Sequence, residues 1–111
     1  MHAYTDENLD GHLPVAVEIF SLLADATRVR IVLALRDGER SVGMIADDVG
    51  KSQAAVSQHL AKLRMSRVVA TRHEGNRVFY RLANAHALEL VEVAFNQAEH
   101  AVDDVVRHRD R

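Results

Sequence analysis

The first third of the chain has apolar side chains at helical spacing. Pro14 suits the first turn of a helix, and the apolar positions behind it that share one face are Val15, Ile19, Leu22 and Leu23. These positions predict a first helix at about residues 13–23, preceded by a flexible arm over residues 1–12. Asp25 is a favourable N-cap for a second helix at about 26–36, and Gly38 follows it where glycine commonly ends helices.

Two shorter helices are predicted next, and each begins with a serine that can cap it. Ser41 precedes the first of them, which Gly50 ends, and Ser52 begins the second, at residues 52–64. Two short helices across a tight glycine turn are typical of a helix-turn-helix. The outer faces of the second helix hold small or polar side chains that suit a DNA major groove: Gln53, Ser57, Gln58, Ala61 and Lys62.

Two β-rich segments in "RVVATRHEGNRVFYRL" predict a hairpin wing at residues 68–82. Gly75 and Asn76 tolerate the positive φ that a tight turn requires, and Arg72 and Arg77 lie near the tip. A helix-turn-helix followed directly by a basic hairpin indicates a winged helix.

The final segment, residues 84–106, has apolar side chains at spacings of three and four: Leu88, Val91, Phe95, Ala98, Val102 and Val105. A lone terminal helix would leave this stripe in water, so a second copy of the same helix is the simplest partner. The predicted fold is therefore a single domain over residues 1–111, mainly α with a β-hairpin wing (α+β). It is a winged helix-turn-helix that forms a homodimer through its terminal helices.

Composition limits the chemistry of the chain. Its 111 residues suffice for one core and include no cysteine, so disulfides and thiolate metal sites are excluded, and any metal must bind nitrogen or oxygen. No apolar run approaches the roughly 18 residues of a membrane span. The start "MHAYTDENLDGH" is acidic and unlike a secretory signal, so a cytoplasmic protein without a membrane partner is expected.

Charge is distributed unevenly along the chain. Residues 51–81 contain seven basic side chains and one acidic side chain, a local charge of +6, whereas the whole chain has a formal charge of −2. Such a segment fits a polyanion such as double-stranded DNA, with Lys62, Arg72 and Arg77 as candidate phosphate contacts. A solvated basic face would have the same composition, and charge alone does not distinguish the two.

The stretches "LLADATRVRIVLAL" and "SQAAVSQHLAKLRMSRVVATRHEGNRVFYRL" closely resemble the ArsR/SmtB family of dimeric winged-helix repressors, over about residues 13–102. The resemblance implies a repressor that binds operator DNA of twofold symmetry. The family's DNA-contacting positions correspond here to Ser52, Gln53, Ser57, Gln58 and His59. Two of these residues could instead be structural, since Ser52 could serve only as a cap and His59 could pack against the wing.

Members of that family differ in where an effector metal binds. The cysteine-based site is excluded here, and in the site between the last helices two ligand positions are occupied by Asn84 and Gln97, whose amides are poor ligands for tetrahedral zinc. The sequence instead resembles the nickel- and cobalt-sensing actinobacterial members, which implies Ni(II) or Co(II) as effector, with Zn(II) less favoured. The implied ligands are His86, Glu99, His100 and His108, and weaker candidates are His2 and His12.

Helix geometry restricts how these ligands could meet. His86 and His100 are fourteen residues apart, which in one helix places them about 21 Å apart along the axis and within about 40° of one face. One ion cannot join them within a chain, but antiparallel pairing of two such helices brings His86 of one copy beside His100 of the other. His108 could join only if the helix frays after about Asp104. The alternative is that these histidines are ordinary solvated side chains, with His100 and Asp104 as an i, i+4 pair.

Four functions fit these features to different degrees. The leading hypothesis is a metal-responsive repressor, and the second is a regulator of the same fold with a decayed metal site, controlled by a co-regulator protein or a small molecule. The third is a winged-helix module that binds protein, which the +6 segment argues against. An enzyme is the weakest hypothesis, because the sequence has no nucleophile–base arrangement and no phosphate-binding glycine loop.

Overall fold

The computed structural model describes the backbone of residues 6–109 and the side chains of residues 9–107. The elements in chain order are α1 (Asp6–Leu23), α2 (Ala26–Ala34), β1 (Arg40–Ser41), α3 (Val42–Val49), α4 (Gln53–Met65), β2 (Val69–Glu74), β3 (Arg77–Leu82) and α5 (His86–Arg109). The strands form one antiparallel sheet in the order β1-β3-β2. The predicted winged helix-turn-helix of α+β class is therefore confirmed.

The helix-turn-helix, α3 and α4, is fixed by the residues predicted to cap it. Ser41 Oγ accepts a hydrogen bond from the N–H of Met44 at 3.3 Å, and Ser52 Oγ accepts one from the N–H of Ala55 at 3.1 Å. Gly50 ends α3 with a φ of 68°, a left-handed conformation in which a side chain would cause strain. The turn between the two helices is therefore short and well defined.

The core lies where three helices meet beneath the sheet. The largest fully buried side chains come from α2, α3 and α4, and they are Ile31, Val32, Ile45, Val56, Leu60 and Leu63. Burial of each such side chain stabilises the fold by about 1.5–3 kcal/mol. One face of α4 is therefore held in the core, and its opposite face is left in solvent.

The end of α4 differs from the usual glycine termination. Arg67 has a φ of 60° although it is not a glycine. The N–H of Arg67 donates to the carbonyl of Arg64 at 3.0 Å, and the N–H of Val68 donates to the carbonyl of Leu63 at 2.9 Å, which is the pattern of a Schellman motif. Val68 and Leu63 both belong to the buried core, so this turn leads α4 directly into the wing.

Three features differ from the sequence-based expectation. Helix α1 begins at Asp6, so the flexible arm expected over residues 1–12 is wrong for residues 6–12. A helix needs only local hydrogen bonds, and Pro14 removes just one of them from the interior of α1. Strand β1 was not predicted, because two residues are too short to show a period. Helix α5 occupies His86–Arg109 instead of residues 84–106.

Helices α1 and α5 leave much apolar surface exposed. From residue 92 to residue 107, every residue of α5 is exposed. The large apolar side chains exposed on the two helices include Leu13, Val15, Val17, Phe20, Val93, Phe95, Val102, Val105 and Val106. Phe20 and Phe95 line an apolar groove between α1, α2 and α5. Small soluble monomers rarely expose a contiguous apolar surface of this kind, so it is suited to contact with another protein surface.

Residues 6–109 contain no helix that has both the length and the apolar character required to cross a membrane.

Candidate nucleic-acid interface and metal-ligand positions

The exposed face of α4 presents small and polar side chains. Four of the predicted DNA-contacting side chains are exposed on this helix: Gln53, Ser57, Gln58 and Lys62. They are directed outward because the helix repeats every 3.6 residues and its opposite face is fixed in the core. An amide that donates and accepts side by side can pair with the edge of a base in a major groove. The surface can therefore form hydrogen bonds to both bases and phosphates.

The N-terminus of α4 lies close to α3. A Cβ at Gly43 would lie 3.4 Å from the amide nitrogen of Gln53, so the glycine leaves room for that side chain. Ser52 caps α4 through its oxygen, which leaves its hydroxyl hydrogen able to donate. The cap and a phosphate contact are therefore compatible at Ser52, at a helix end where the backbone dipole favours anions.

His59, also a predicted DNA contact, has an intramolecular partner instead. It is half-buried, and its Nδ1 lies 3.2 Å from Nη1 of Arg28 on α2. Arg28 also donates through Nε to the carbonyl of Leu22, and its backbone N–H donates to Asp25 at 2.9 Å. His59 therefore connects α4 to the α1–α2 corner, and the structure places its hydrogen bond neither on the DNA-facing surface nor against the wing. The reason is helical geometry, since position 59 lies only about 60–70° from the centre of the buried face.

Arg72 also has partners within the protein. Its Nε and Nη2 donate to the carboxylate of Glu39, the shortest distance being 2.6 Å, and its Nη1 donates to Glu74 at 2.8 Å. The guanidinium carbon lies 4.8 Å from the centre of the Phe79 ring. The hydrogen bond to Glu39, followed by that to Glu74, holds the pKa of Arg72 above its ordinary value. The N–H donors of Arg72 are therefore already occupied. The predicted contact with phosphate would require Arg72 to give up one of these internal bonds.

The hydrogen bond from Arg72 also acts on its main partner, because it holds the pKa of Glu39 below the ordinary value for a glutamate. The pair is therefore ionised on both sides at neutral pH.

At the tip of the wing, Arg77 has an open guanidinium fork. Its guanidinium carbon lies 5.1 Å from the centre of the Phe79 ring, and within the part of the chain that the structure describes no carboxylate is within ion-pair distance of it. It is exposed at the start of β3, next to the turn in which Gly75 has a φ of 58°. Lys62 is likewise exposed, in the last turn of α4. These two cations are therefore positioned to reach a phosphate without breaking an internal ion pair.

Sequence reasoning missed the residues that hold these side chains in place, namely Arg28, Glu39 and Phe79. Glu39 is 33 positions from Arg72, and Arg28 is 31 positions from His59, so no local pattern connects either pair. Of these three residues, Phe79 could have been identified from the sequence. A tight turn at 75–76 sets a hairpin register that pairs Arg72 with Phe79 across the strands.

The predicted metal ligands on α5 are separate from one another in a single chain. His86, Glu99 and His100 are all exposed on this helix. Among residues 9–107, no three His, Asp or Glu side chains form a group that could hold a metal ion. One chain therefore offers separated ligands instead of a finished site.

The remaining candidates have different positions. His12 is exposed on α1, His108 belongs to α5 but its side chain is outside those described, and His2 lies outside the described residues. The backbone of α5 is helical to Arg109, so the fraying expected after residue 104 is not part of this structure. Asn84 has a local role, because its Oδ1 accepts the backbone N–H of His86 at 3.0 Å. That bond helps to start α5.

Comparison with known proteins gives a consistent result. The family model described as "Bacterial regulatory protein, arsR family" matches residues 25–71. The HTH-type transcriptional regulator KmtR of Mycobacterium tuberculosis is 50% identical over 99 residues, which cover 89% of this chain and 76% of that protein. The HTH-type transcriptional repressor SmtB of the same species is 36% identical over 94 residues, which cover 85% of this chain and 67% of that protein.

Solved structures of regulators share the fold. The crystal structure of Rv0081 from Mycobacterium tuberculosis has a TM-score of 0.76 at 36% identity, covering 85% of this chain and 95% of that chain. The solution structure of the homodimeric winged helix-turn-helix domain of Mb0332 from Mycobacterium bovis has a TM-score of 0.74 at 28% identity, covering 89% and 91%. The curated relatives are transcriptional regulators and not enzymes. The chain thus belongs to the ArsR family of bacterial regulatory proteins and is a winged-helix transcriptional regulator.

Proposed function

We propose that this regulator is a homodimeric repressor that binds operator DNA of twofold symmetry through α4 and the wing, and that Ni(II) or Co(II) bound between the two copies of α5 changes its affinity for that operator. The observation that carries the proposal is the exposed polar face of α4, which is held outward by a fully buried opposite face, and the wing adds the exposed cation Arg77.

Different side chains of the proposed DNA-binding surface suit bases and phosphates. Gln53, Ser57 and Gln58 have the donors and acceptors needed for base edges in a major groove. Lys62 and Arg77, together with the hydroxyl of Ser52, suit phosphates, which position a protein on DNA without selecting a sequence. We therefore expect the two glutamines to govern base choice and the two cations to govern the dependence of affinity on salt.

A homodimer is supported by the exposed apolar surfaces of α1 and α5. Phe20 is 61% exposed and Phe95 is 49% exposed, and both line the groove between these helices. Burying such side chains against a second copy is favourable by about 25 cal/mol per Å² of apolar area. A twofold dimer would present two copies of α4 to successive major grooves, which matches an operator with two half-sites.

The donor chemistry of α5 fits a metal shared between subunits. His86 and His100 are about 21 Å apart along one helix, so ligation needs the imidazole of His86 from one chain and that of His100 from the other. Glu99 of that second chain offers a carboxylate, and His108 becomes a further ligand if the end of α5 unwinds when the metal binds, with His2 and His12 as the weaker candidates. Nitrogen and oxygen donors of this kind suit Ni(II) and Co(II). The metal acts as an effector only if it binds the DNA-competent and DNA-incompetent forms with different affinity.

One observation favours a second candidate function, a regulator of the same fold that responds to a co-regulator protein or a small molecule. The Oδ1 of Asn84 is engaged by the backbone of His86, so one position of the shared metal site is taken by a structural amide.

The test of DNA binding is a triple variant, Gln53→Ala/Ser57→Ala/Arg77→Ala, compared with the wild-type protein in mobility-shift titrations on a duplex enriched from a random pool. We expect a loss of at least about 100-fold in affinity, since each lost base or phosphate contact costs about 1–3 kcal/mol. Sedimentation and circular dichroism establish that the variant is folded and has the wild-type oligomeric state. Unchanged affinity in such a variant would contradict the assignment of α4 and the wing.

The test of crossed metal ligation is a mixed dimer of His86→Ala and His100→Ala chains. Crossed ligation leaves one of its two sites with both histidines and the other with neither, whereas each parental homodimer has two sites that lack one histidine. Calorimetric titration with Ni(II) and Co(II) should therefore recover one high-affinity site per mixed dimer. If the mixed dimer binds no better than the parental homodimers, the regulator without a working metal site becomes the better description.

A further inference from the structure

One face of the wing brings together cations and carboxylates from distant parts of the chain. Strand alternation and register place six side chains on it: Ala70, Arg72, Glu74, Arg77, Phe79 and Arg81. Glu39 is added from outside the hairpin, directly before β1, which pairs with β3. The face therefore has three arginines, but the two glutamates hydrogen-bond to the same one, Arg72.

Glu39 fills the fork of Arg72 in the way that a DNA phosphate would. Nε and Nη2 of Arg72 donate to its two oxygens at 2.6–3.2 Å, and carboxylates and phosphates accept this paired donor in the same manner. Exposed ion pairs usually contribute little to stability. This one has fork geometry, a second carboxylate at 2.8 Å and an aromatic ring at 4.8 Å, so Arg72 is held in one arrangement.

We infer that Glu39 is an internal competitor of DNA phosphate for the guanidinium of Arg72, and that it limits the sequence-independent part of DNA binding. This inference rests on the proposed role of the wing in DNA binding. Phosphate contacts add affinity for every DNA sequence alike, whereas base contacts from α4 add affinity for the operator. By occupying Arg72, Glu39 weakens binding to bulk DNA and leaves Arg77 as the phosphate-binding arginine of the wing tip.

The main experiment compares Glu39→Gln with the wild-type protein on a duplex of arbitrary sequence, by fluorescence anisotropy at several salt concentrations. The substitution keeps the size of the side chain and removes the charge that binds Arg72. We expect affinity to rise about 5- to 10-fold at about 50 mM salt. That advantage should shrink about 3- to 4-fold by about 200 mM salt, because one more phosphate contact steepens the salt dependence by about 0.9 logarithmic units per decade.

Asp37→Asn is the matched control. It removes the same charge two positions away, from a side chain that is 85% exposed and contacts Arg36 at 3.7 Å. Its affinity should change by no more than about twofold, with the wild-type salt dependence. An equal gain in the Glu39→Gln and Asp37→Asn variants would overturn the inference, since the effect would then be one of net charge.

The Arg72→Gln background tests whether Arg72 is the group released. In the Arg72→Gln background, Glu39→Gln should raise the affinity for DNA by no more than Asp37→Asn raises it in the wild-type protein. The full gain in the absence of Arg72 would likewise overturn the inference.

Two further measurements complete the test. Urea unfolding shows whether a variant differs from the wild type in stability. Glu74→Gln removes the partner that makes a single hydrogen bond to Arg72, so it should raise the affinity for DNA less than Glu39→Gln does. A wild-type protein without salt-dependent DNA binding would overturn the proposed function itself, and this inference with it. A wild-type protein that binds DNA normally but gains nothing from Glu39→Gln would overturn the inference alone.

Discussion

Arg72 and Arg77 have the same chemistry and lie on the same face of the wing, but their partners give them different roles. Arg72 has two carboxylates within 2.8 Å, whereas among side chains 9–107 Arg77 has the Phe79 ring at 5.1 Å and no carboxylate at ion-pair distance. An arginine already paired with a carboxylate must give up that bond to reach a phosphate, and an unpaired one need not. At the scale of the residue, the local charge of +6 in residues 51–81 therefore overstates the number of cations that are available to DNA phosphates, because Arg72 is already paired.

Asp25 carries a prediction at the same scale. Its carboxylate accepts the backbone N–H of Arg28 at 2.9 Å, and this hydrogen bond is the main reason that the pKa of Asp25 is below its ordinary value of 3.8. A carboxyl group whose pKa is lower in the folded state than in the unfolded state stabilises the fold at pH values above the unfolded-state pKa. This contribution is lost as the pH falls through the folded-state pKa. Asp25→Asn keeps the cap but removes the titration. We therefore expect its free energy of unfolding to fall less steeply than that of the wild type between about pH 5 and pH 3.

Urea unfolding at a series of pH values provides the measurement, and Asp37→Asn is the control that should retain the wild-type slope. The same slope in Asp25→Asn and in the wild type would contradict a role for the Asp25 carboxylate in acid unfolding.

At the scale of the element, the position of α4 depends on more than its buried face. Its start is capped by Ser52, its end is closed by the turn at Arg67, and its side is tied to α2 through the hydrogen bond between His59 and Arg28. Arg28 in turn binds the carbonyl of Leu22 at the end of α1. The helix that we propose for DNA binding is therefore connected to a helix that we propose for the dimer interface.

This connection predicts that His59 acts on DNA binding through position and not through contact. His59→Ala should lower operator affinity about 5- to 10-fold by removing the acceptor for Arg28, a loss within the range of one net hydrogen bond. His59→Gln, which keeps an acceptor, should recover most of it. The salt dependence should stay that of the wild type, because no phosphate contact is lost.

Arg28→Gln completes a double-mutant cycle with His59→Ala, measured by mobility shift. The two losses should not add, because they remove the same hydrogen bond. Additive losses, or a weaker salt dependence in His59→Ala, would indicate that His59 contacts DNA directly.

At the scale of the whole molecule, the exposed apolar sides of α1 and α5 are the surfaces through which we propose that two chains associate. Up to residue 107, the buried side chains of α5 are Ala87 and Val91, near its start, and every residue from 92 to 107 is exposed. Val93 and Val102 remain 65% and 61% exposed in that segment. A metal site shared between subunits can exist only if a partner chain covers this region, so dimer formation precedes metal sensing in the proposed mechanism.

The dimer is tested by Phe95→Glu. Phe95 is exposed in a single chain, so a charge there should leave the fold intact, but it should raise the dissociation constant of the dimer by at least about 30-fold, the equivalent of about 2 kcal/mol at an interface hot spot. Sedimentation equilibrium at micromolar concentration measures the change. Met44→Glu, a similar substitution at an exposed apolar residue of α3, is the control that should remain dimeric. A wild-type protein that is monomeric in this experiment would remove the basis for a shared metal site.

Features encoded within a few neighbouring residues could be predicted from the sequence. The caps at Asp25, Ser41 and Ser52 and the hairpin turn at 75–76 follow from side chains that bond to their own backbone or tolerate positive φ. The apolar face of α4 follows from spacing alone, and so does the exposure of Gln58 and Lys62 on the other side. The helix-turn-helix, the wing and the exposure of four predicted DNA-contacting side chains were therefore within reach of local patterns.

Which functional side chains are available to a ligand depends instead on the packing of the folded chain. The carboxylate that fills the fork of Arg72 comes from Glu39 before β1, and the partner of His59 is Arg28 on α2; both are more than thirty positions away. Strand β1 exists because β3 offers it a free edge. Hydrogen bonds and ion pairs act over a few ångströms of space and not along the chain. Their formation therefore depends on how the folded elements are placed against one another, which local spacing does not contain.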